Sequence, residues 1–95
     1  MLFSHIEHYL SDEGKKIIPT WYQELKRLFL QQDGFISIHY AYDPLDSGCV
    51  HIWTTFTSEE KAEKWAQSQP KNSIQAQLDP FRTKPMLVKR YELED

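Results

Sequence analysis

The chain has 95 residues, of which 40% are hydrophobic, 14% aromatic and 26% charged, with a formal net charge of −3. That balance excludes disordered, collagenous and disulfide-built chains. The basic pairs Lys15–Lys16, Lys26–Arg27 and Lys89–Arg90 are too scattered to form a nucleic-acid-binding stripe.

Residues 2–10, LFSHIEHYL, alternate loosely between apolar and polar and predict a first strand, which SDEG ends. From Lys15 to Gln32 the apolar residues Ile17, Ile18, Trp21, Leu25, Leu28 and Phe29 recur at spacings of three and four, the signature of a helix with one apolar stripe. Pro19 sits either in the first turn of that helix or inside a helix that began near Ser11. Asp33 and Gly34 stop it. FISIHYAY (35–42) and CVHIWTTF (49–56) then flank DPLDSG, whose residues favour turns, and together predict a β-hairpin.

Thr57 followed by Glu60 has the spacing of a capping box, so a second helix is expected to start at Ser58, with Ala62, Trp65 and Ala66 on one face. Pro70 is expected to close it. KNSIQAQL has room for a further helical turn, DPFRTKP reads as a loop, and MLVKRYELE as the last strand. The order β-α-β-β-α-β is the ferredoxin-like arrangement, an α+β fold with a four-stranded antiparallel sheet and both helices on one face. Residues 1–95 are expected to form a single domain.

Alternation places Ile36, Ile38, Tyr40 and Tyr42 on one face of the second strand and Phe35, His39 and Ala41 on the other. Val50, Ile52 and Phe56 of the third strand oppose Cys49, His51 and Trp53. Both sheet faces therefore carry apolar groups, and a second copy packing sheet to sheet would cover the face without helices.

The stretches HYLSDEGKKIIPTWYQEL, DGFISI, HIWTTFTSEEKAEKWAQS and LDPFRTKPMLVKRYE, which together cover nearly the whole chain, resemble the dimeric α+β barrels of the antibiotic biosynthesis monooxygenase type. The resemblance implies a homodimer with facing sheets and a small-molecule pocket between sheet and helices in each subunit. Some members oxidise anthrones with O₂ and no cofactor, because the deprotonated substrate reduces oxygen itself. Those members carry Asn-Tyr followed by Trp along strand three, where this chain has Ile52, Trp53 and Phe56. Haem-degrading relatives combine a strand-one Asn, a helix-two Trp and a later His. Trp65 matches the Trp, but the only Asn is Asn72 and no His follows His51, so no haem or other cofactor is expected.

Trp65, Phe56, Trp21 and Ile52 are candidates to line such a pocket, with Tyr22 as a hydrogen-bond donor and Arg82 either clamping an anionic ligand at its mouth or pairing with Asp79. His51, Trp53 and His39 are candidates for the dimer interface. His39 and His51 could oppose each other across the hairpin with His5 nearby, but no carboxylate is obviously placed with them, and no metal site is expected. Cys49 reads as an inert thiol. The expected function is a cofactor-independent monooxygenase acting on a small aromatic or quinone-like compound, with a His or Tyr as proton acceptor, or a non-catalytic dimeric module that binds such a compound. No apolar run is long enough to span a membrane, and the first 30 residues lack the pattern of a secretory signal, so a cytoplasmic location is expected.

Overall fold

A computed structural model describes residues 1–94. The elements run in the order β1 (Leu2–Leu10), α1 (Asp12–Phe29), β2 (Phe35–Tyr42), β3 (Cys49–Phe56), α2 (Glu59–Ala66), α3 (Gln69–Ala76), a single 3₁₀ turn (Asp79–Phe81) and β4 (Arg82–Glu92). The strands form one antiparallel sheet in the order β2-β3-β1-β4, as the ferredoxin-like reading requires. Among the described residues no helix is long and apolar enough to cross a membrane.

α1 starts at Ser11, whose hydroxyl accepts from the Gly14 N–H, with Asp12 and Glu13 at the positive end of its dipole. Pro19 therefore lies inside the helix, on its exposed side, rather than in the first turn. Ile18, Trp21, Tyr22, Leu25 and Phe29 form the buried stripe, as their spacing predicts. The chain leaves α1 through Gly34, whose φ of 83° suits a residue without a side chain.

The cap of α2 differs from the sequence reading. The residue that accepts from the helix is Ser58, through the Lys61 N–H, and the helix itself begins at Glu59. Thr57 is one position too early, and its capping-box spacing to Glu60 is not used. Pro70 does not close α2, which ends at Ala66. It instead occupies the first turn of α3, where its missing N–H is not needed, behind the Ser68 cap. The two-helix layer thus becomes three helices, all on one face of the sheet.

A β-bulge explains a second correction. Phe35 lies opposite Phe56 but Ser37 lies opposite Thr55, so β2 carries one extra residue at Ile36. The bulge breaks the alternation. Phe35 turns inward to stack on Phe29, with ring centroids 5.3 Å apart, while Ile36 turns outward and is 46% exposed. β4 is similarly irregular: Glu7 pairs with Leu87, Tyr9 with Lys84 and Leu10 with Arg82, so β4 gains residues around Pro85 and Thr83. Proline is tolerated there because this is an edge strand at a bulge. β4 also begins four residues earlier than the expected strand, at Arg82.

The cap assignment predicts unequal costs at adjacent positions. Ser58→Ala should lower stability by about 1 kcal/mol, and Thr57→Ala by less than about half of that, in urea unfolding followed by circular dichroism. Equal losses would reinstate Thr57 as the cap.

Candidate functional site

The inner sheet face and the helices do not close completely. Between them lies a cavity of about 100 Å³. Trp21 and Phe29 of α1, Phe56 of β3 and Trp65 of α2 form its aromatic walls, and Ile52 its floor. Ala62 and Ala66 keep α2 from filling the space. Trp65 packs on Phe29 at 4.4 Å between ring centroids, so it is at once a core residue and a cavity wall. The cavity reaches the surface beside β4, where Val88, on the inner face, is 47% exposed.

The polar lining comes from alternate positions of β1 and β3 and from α3: Ser4, His8, Thr54 and Gln75, with Lys71 and Arg90 adding positive charge. Arg90 is held by Glu63 of α2 at 2.7 Å. Among the described residues no carboxylate lines the cavity.

His8 is the distinctive group. It is 1% exposed and stands edge-on to Trp21, with ring centroids 5.8 Å apart. Its Nδ1 lies 3.0 Å from Nη1 of Arg82. A guanidinium only donates, so Nδ1 is the acceptor and the proton of the neutral ring sits on Nε2. Burial, reinforced by the positive charge of Arg82, pushes the His8 pKa down to about 4. Arg82 is itself held by Asp79 at 2.9 Å and reaches the Gln75 carbonyl at 3.5 Å. The site therefore presents a neutral imidazole N–H donor, backed by a fixed cation, among aromatic walls.

Two pocket candidates stand elsewhere. The Tyr22 hydroxyl donates to the Ile38 carbonyl at 3.1 Å and its ring packs on Tyr40, which removes it from the cavity. Arg82 pairs with Asp79 and acts on the cavity only through His8. Sequence reasoning missed His8 as a site residue. The available signal was its place in the series Leu2, Ser4, Ile6, His8, Leu10, the inward face of β1.

On the outer face Trp53 stacks on His5 at 5.2 Å and on His51 at 5.5 Å between centroids. Register places His39 opposite Trp53 and Ala41 opposite His51. His39 is therefore exposed and apart from His51, whose neighbour is His5, 2.7 Å away between Nε2 and Nδ1.

This is the fold of the antibiotic biosynthesis monooxygenase structures. One crystal structure of an antibiotic biosynthesis monooxygenase superposes with a TM-score of 0.86 at 13% identity, covering 100% of both chains. A conserved protein from Methanosarcina mazei gives 0.87 at 12% identity over 98% of this chain and 92% of its own. A variant of SnoaB, a cofactor-independent oxygenase from Streptomyces nogalater, gives 0.82 at 7% identity over 99% of this chain and 93% of its own. No family model matches the sequence, and no curated protein matches it.

His8 makes stability pH-dependent with a definite sign. Its pKa is lower in the folded chain than the ordinary 6.5, so below pH 6.5 the unfolded chain binds a proton that the folded one refuses. The stability present above pH 6.5 should fall by up to about 3 kcal/mol as pH drops toward 4. Urea titrations across that window should show a shallower slope for His8→Gln than for the wild type.

Proposed function

We propose that the chain is a cofactor-independent monooxygenase acting on a small phenolic compound in its deprotonated form. The observation that carries this reading is His8, which lines an aromatic-walled cavity and is held through Nδ1 by Arg82, so that its Nε2–H is the donor left for a ligand. A donor held in a dry site stabilises an oxyanion far more than water does. Lys71 and Arg90 add cationic charge, so the site favours the phenolate over the phenol.

No carboxylate base is needed if the anion is what binds. His8 then acts as the donor that holds the phenolate oxygen, in place of the proton acceptor expected from the sequence. The electron-rich ring reduces O₂ within the cavity, one oxygen atom enters the ring carbon, and the other leaves as water. In balance, a phenol and O₂ give a quinone and water. At about 100 Å³, below the roughly 150 Å³ that holds benzene, the enclosed space is far too small for a fused tricycle and takes a single ring only with part of it in the opening beside β4. The shared fold with a cofactor-independent oxygenase supports the reaction class. The alternative, a module that binds such a compound without turning it over, is supported by the lack of a base among the described lining residues.

Oxygen uptake with monocyclic phenols and hydroquinones, beside an anthrone, tests this. Turnover above the uncatalysed rate should fall by about 10²-fold in His8→Phe and also fall in Trp65→Ala, with one atom of labelled O₂ in the product and one in water. Saturable quenching of tryptophan fluorescence with no oxygen consumed would leave the binding module in its place.

The reading includes a homodimer formed through the outer sheet face. There Trp53, His5 and His51 stack without a cover, and Leu87 and Tyr91 of β4 are 52% and 48% exposed. Trp53→Glu should convert a dimer to a monomer in sedimentation at micromolar concentration. An unchanged sedimentation coefficient would move the interface elsewhere.

A further inference from the structure

We propose that Asp43, Cys49 and His51 form a binding site for one thiophilic divalent cation of the zinc type, on the outer face of the sheet at the loop end of the β2–β3 hairpin. The inference is independent of the reading of the cavity, which lies on the other side of the sheet, but it shares His51 with the proposed dimer face, so the ion enters the single chain before that face is covered.

Cys49 and His51 stand two residues apart on one strand and so share a face. Their Sγ and Nε2 atoms are 3.6 Å apart. With zinc bonds of about 2.3 Å to sulfur and 2.0 Å to nitrogen at a tetrahedral angle, the two atoms would be about 3.5 Å apart. Rigid strand backbone thus already holds the separation that a shared metal demands. The Oδ2 of Asp43 lies 2.7 Å from the same Nε2, and the three donor atoms all lie within 4.8 Å of one another. A metal between them needs the carboxylate to withdraw by about half an ångström, and Asp43 belongs to the loop side of the site.

Each donor is also oriented. Oδ1 of Asp43 accepts the Leu45 and Asp46 N–H groups at 2.8 and 3.1 Å, which leaves Oδ2 for the metal. The Asp43 carboxylate can only accept, so in the metal-free chain Nε2 of His51 carries the proton and Nδ1 accepts from Nε2 of His5 at 2.7 Å; a metal on Nε2 shifts that proton to Nδ1, which then donates to His5. This backing of a ligand imidazole is the usual arrangement at metal sites. The side chains of His51 and Asp43 are 15% and 25% exposed, enough for an ion to enter. Glu7, Asp43 and Asp46 surround the thiol with negative charge.

The same geometry argues against a nucleophilic cysteine. A Cys–His–Asp relay needs the thiol on one ring nitrogen and the carboxylate on the other. Here both approach Nε2. The second possible set, His5, Glu7 and His51, is weaker because the Glu7 carboxylate already accepts the Tyr9 hydroxyl. The sulfur, nitrogen and oxygen donors suit zinc or cobalt over magnesium or calcium. Binding replaces the thiol proton, which is released to solvent as the metal–sulfur bond forms.

The test is titration of the purified, chelator-treated protein with Co²⁺ under reducing conditions. One equivalent per chain should produce a thiolate-to-cobalt charge-transfer band in the near ultraviolet, and Zn²⁺ should displace it. Cys49→Ser should abolish the band, and Asp43→Asn and His51→Gln should weaken binding by about 10-fold or more, with circular dichroism confirming that each variant is folded. No band in the wild type, or a band that persists in Cys49→Ser, overturns the proposal. Should Cys49→Ser fail to fold, wild-type affinity in Asp43→Asn overturns it instead, because that side chain sits in a loop.

Discussion

The contact on which the rest of the structure depends is the seating of α1 on the inner face of the sheet. Trp21 donates its indole N–H to the Ile74 carbonyl at 2.8 Å and so ties α3 to α1. Tyr22 fixes β2 through the Ile38 carbonyl. Phe29 meets Phe35, Phe56 and Trp65 at once, which joins β2, β3 and α2. One amphipathic stripe therefore organises β2, β3, α2 and α3. A helix of 18 residues is long enough to do this across the width of a four-stranded sheet.

The same seating leaves the cavity. α2 is short, and its inward face alternates a large residue, Trp65, with the small Ala62 and Ala66, so α2 meets β4 through the Glu63–Arg90 ion pair and leaves a gap beneath it. β4 in turn is bulged at its start, and its inner residues Met86, Val88 and Arg90 edge the gap. Bulges are common beside binding sites because they re-aim side chains at little cost to the rest of the ladder. The cavity is thus a consequence of where packing stops, and its chemistry comes from the few polar groups that β1 and α3 bring to it.

A sheet with all its helices on one side has two unlike faces. The inner one holds a neutral imidazole in a buried, aromatic-walled setting. The outer one gathers stacked histidines, tryptophan, a thiol and carboxylates with no cover of its own. Placing His8 and His5 on opposite sides of one strand is what gives each its environment: burial beside Arg82 for the first, stacking on Trp53 for the second.

The four strands, the first two helices, their order and the buried stripe of α1 were legible in the sequence, because period and turn chemistry are local properties of consecutive residues. Period also assigns Trp21, Phe56 and Trp65 each to one face of its element, but only the packed sheet decides that these faces meet around the cavity. Three further things were decided only in three dimensions. The bulge at Ile36 reversed the orientation of Phe35, because register depends on the partner strand rather than on the strand itself. Ser58 displaced Thr57 as the cap, because neighbouring candidates differ only in the backbone path that the preceding strand imposes. The pairing of His8 with Arg82, 74 residues apart, and the meeting of His51 with His5 and Asp43, arise from sheet order and loop closure. No spacing along a chain encodes those contacts, so the chemistry of both faces belongs to the tertiary structure.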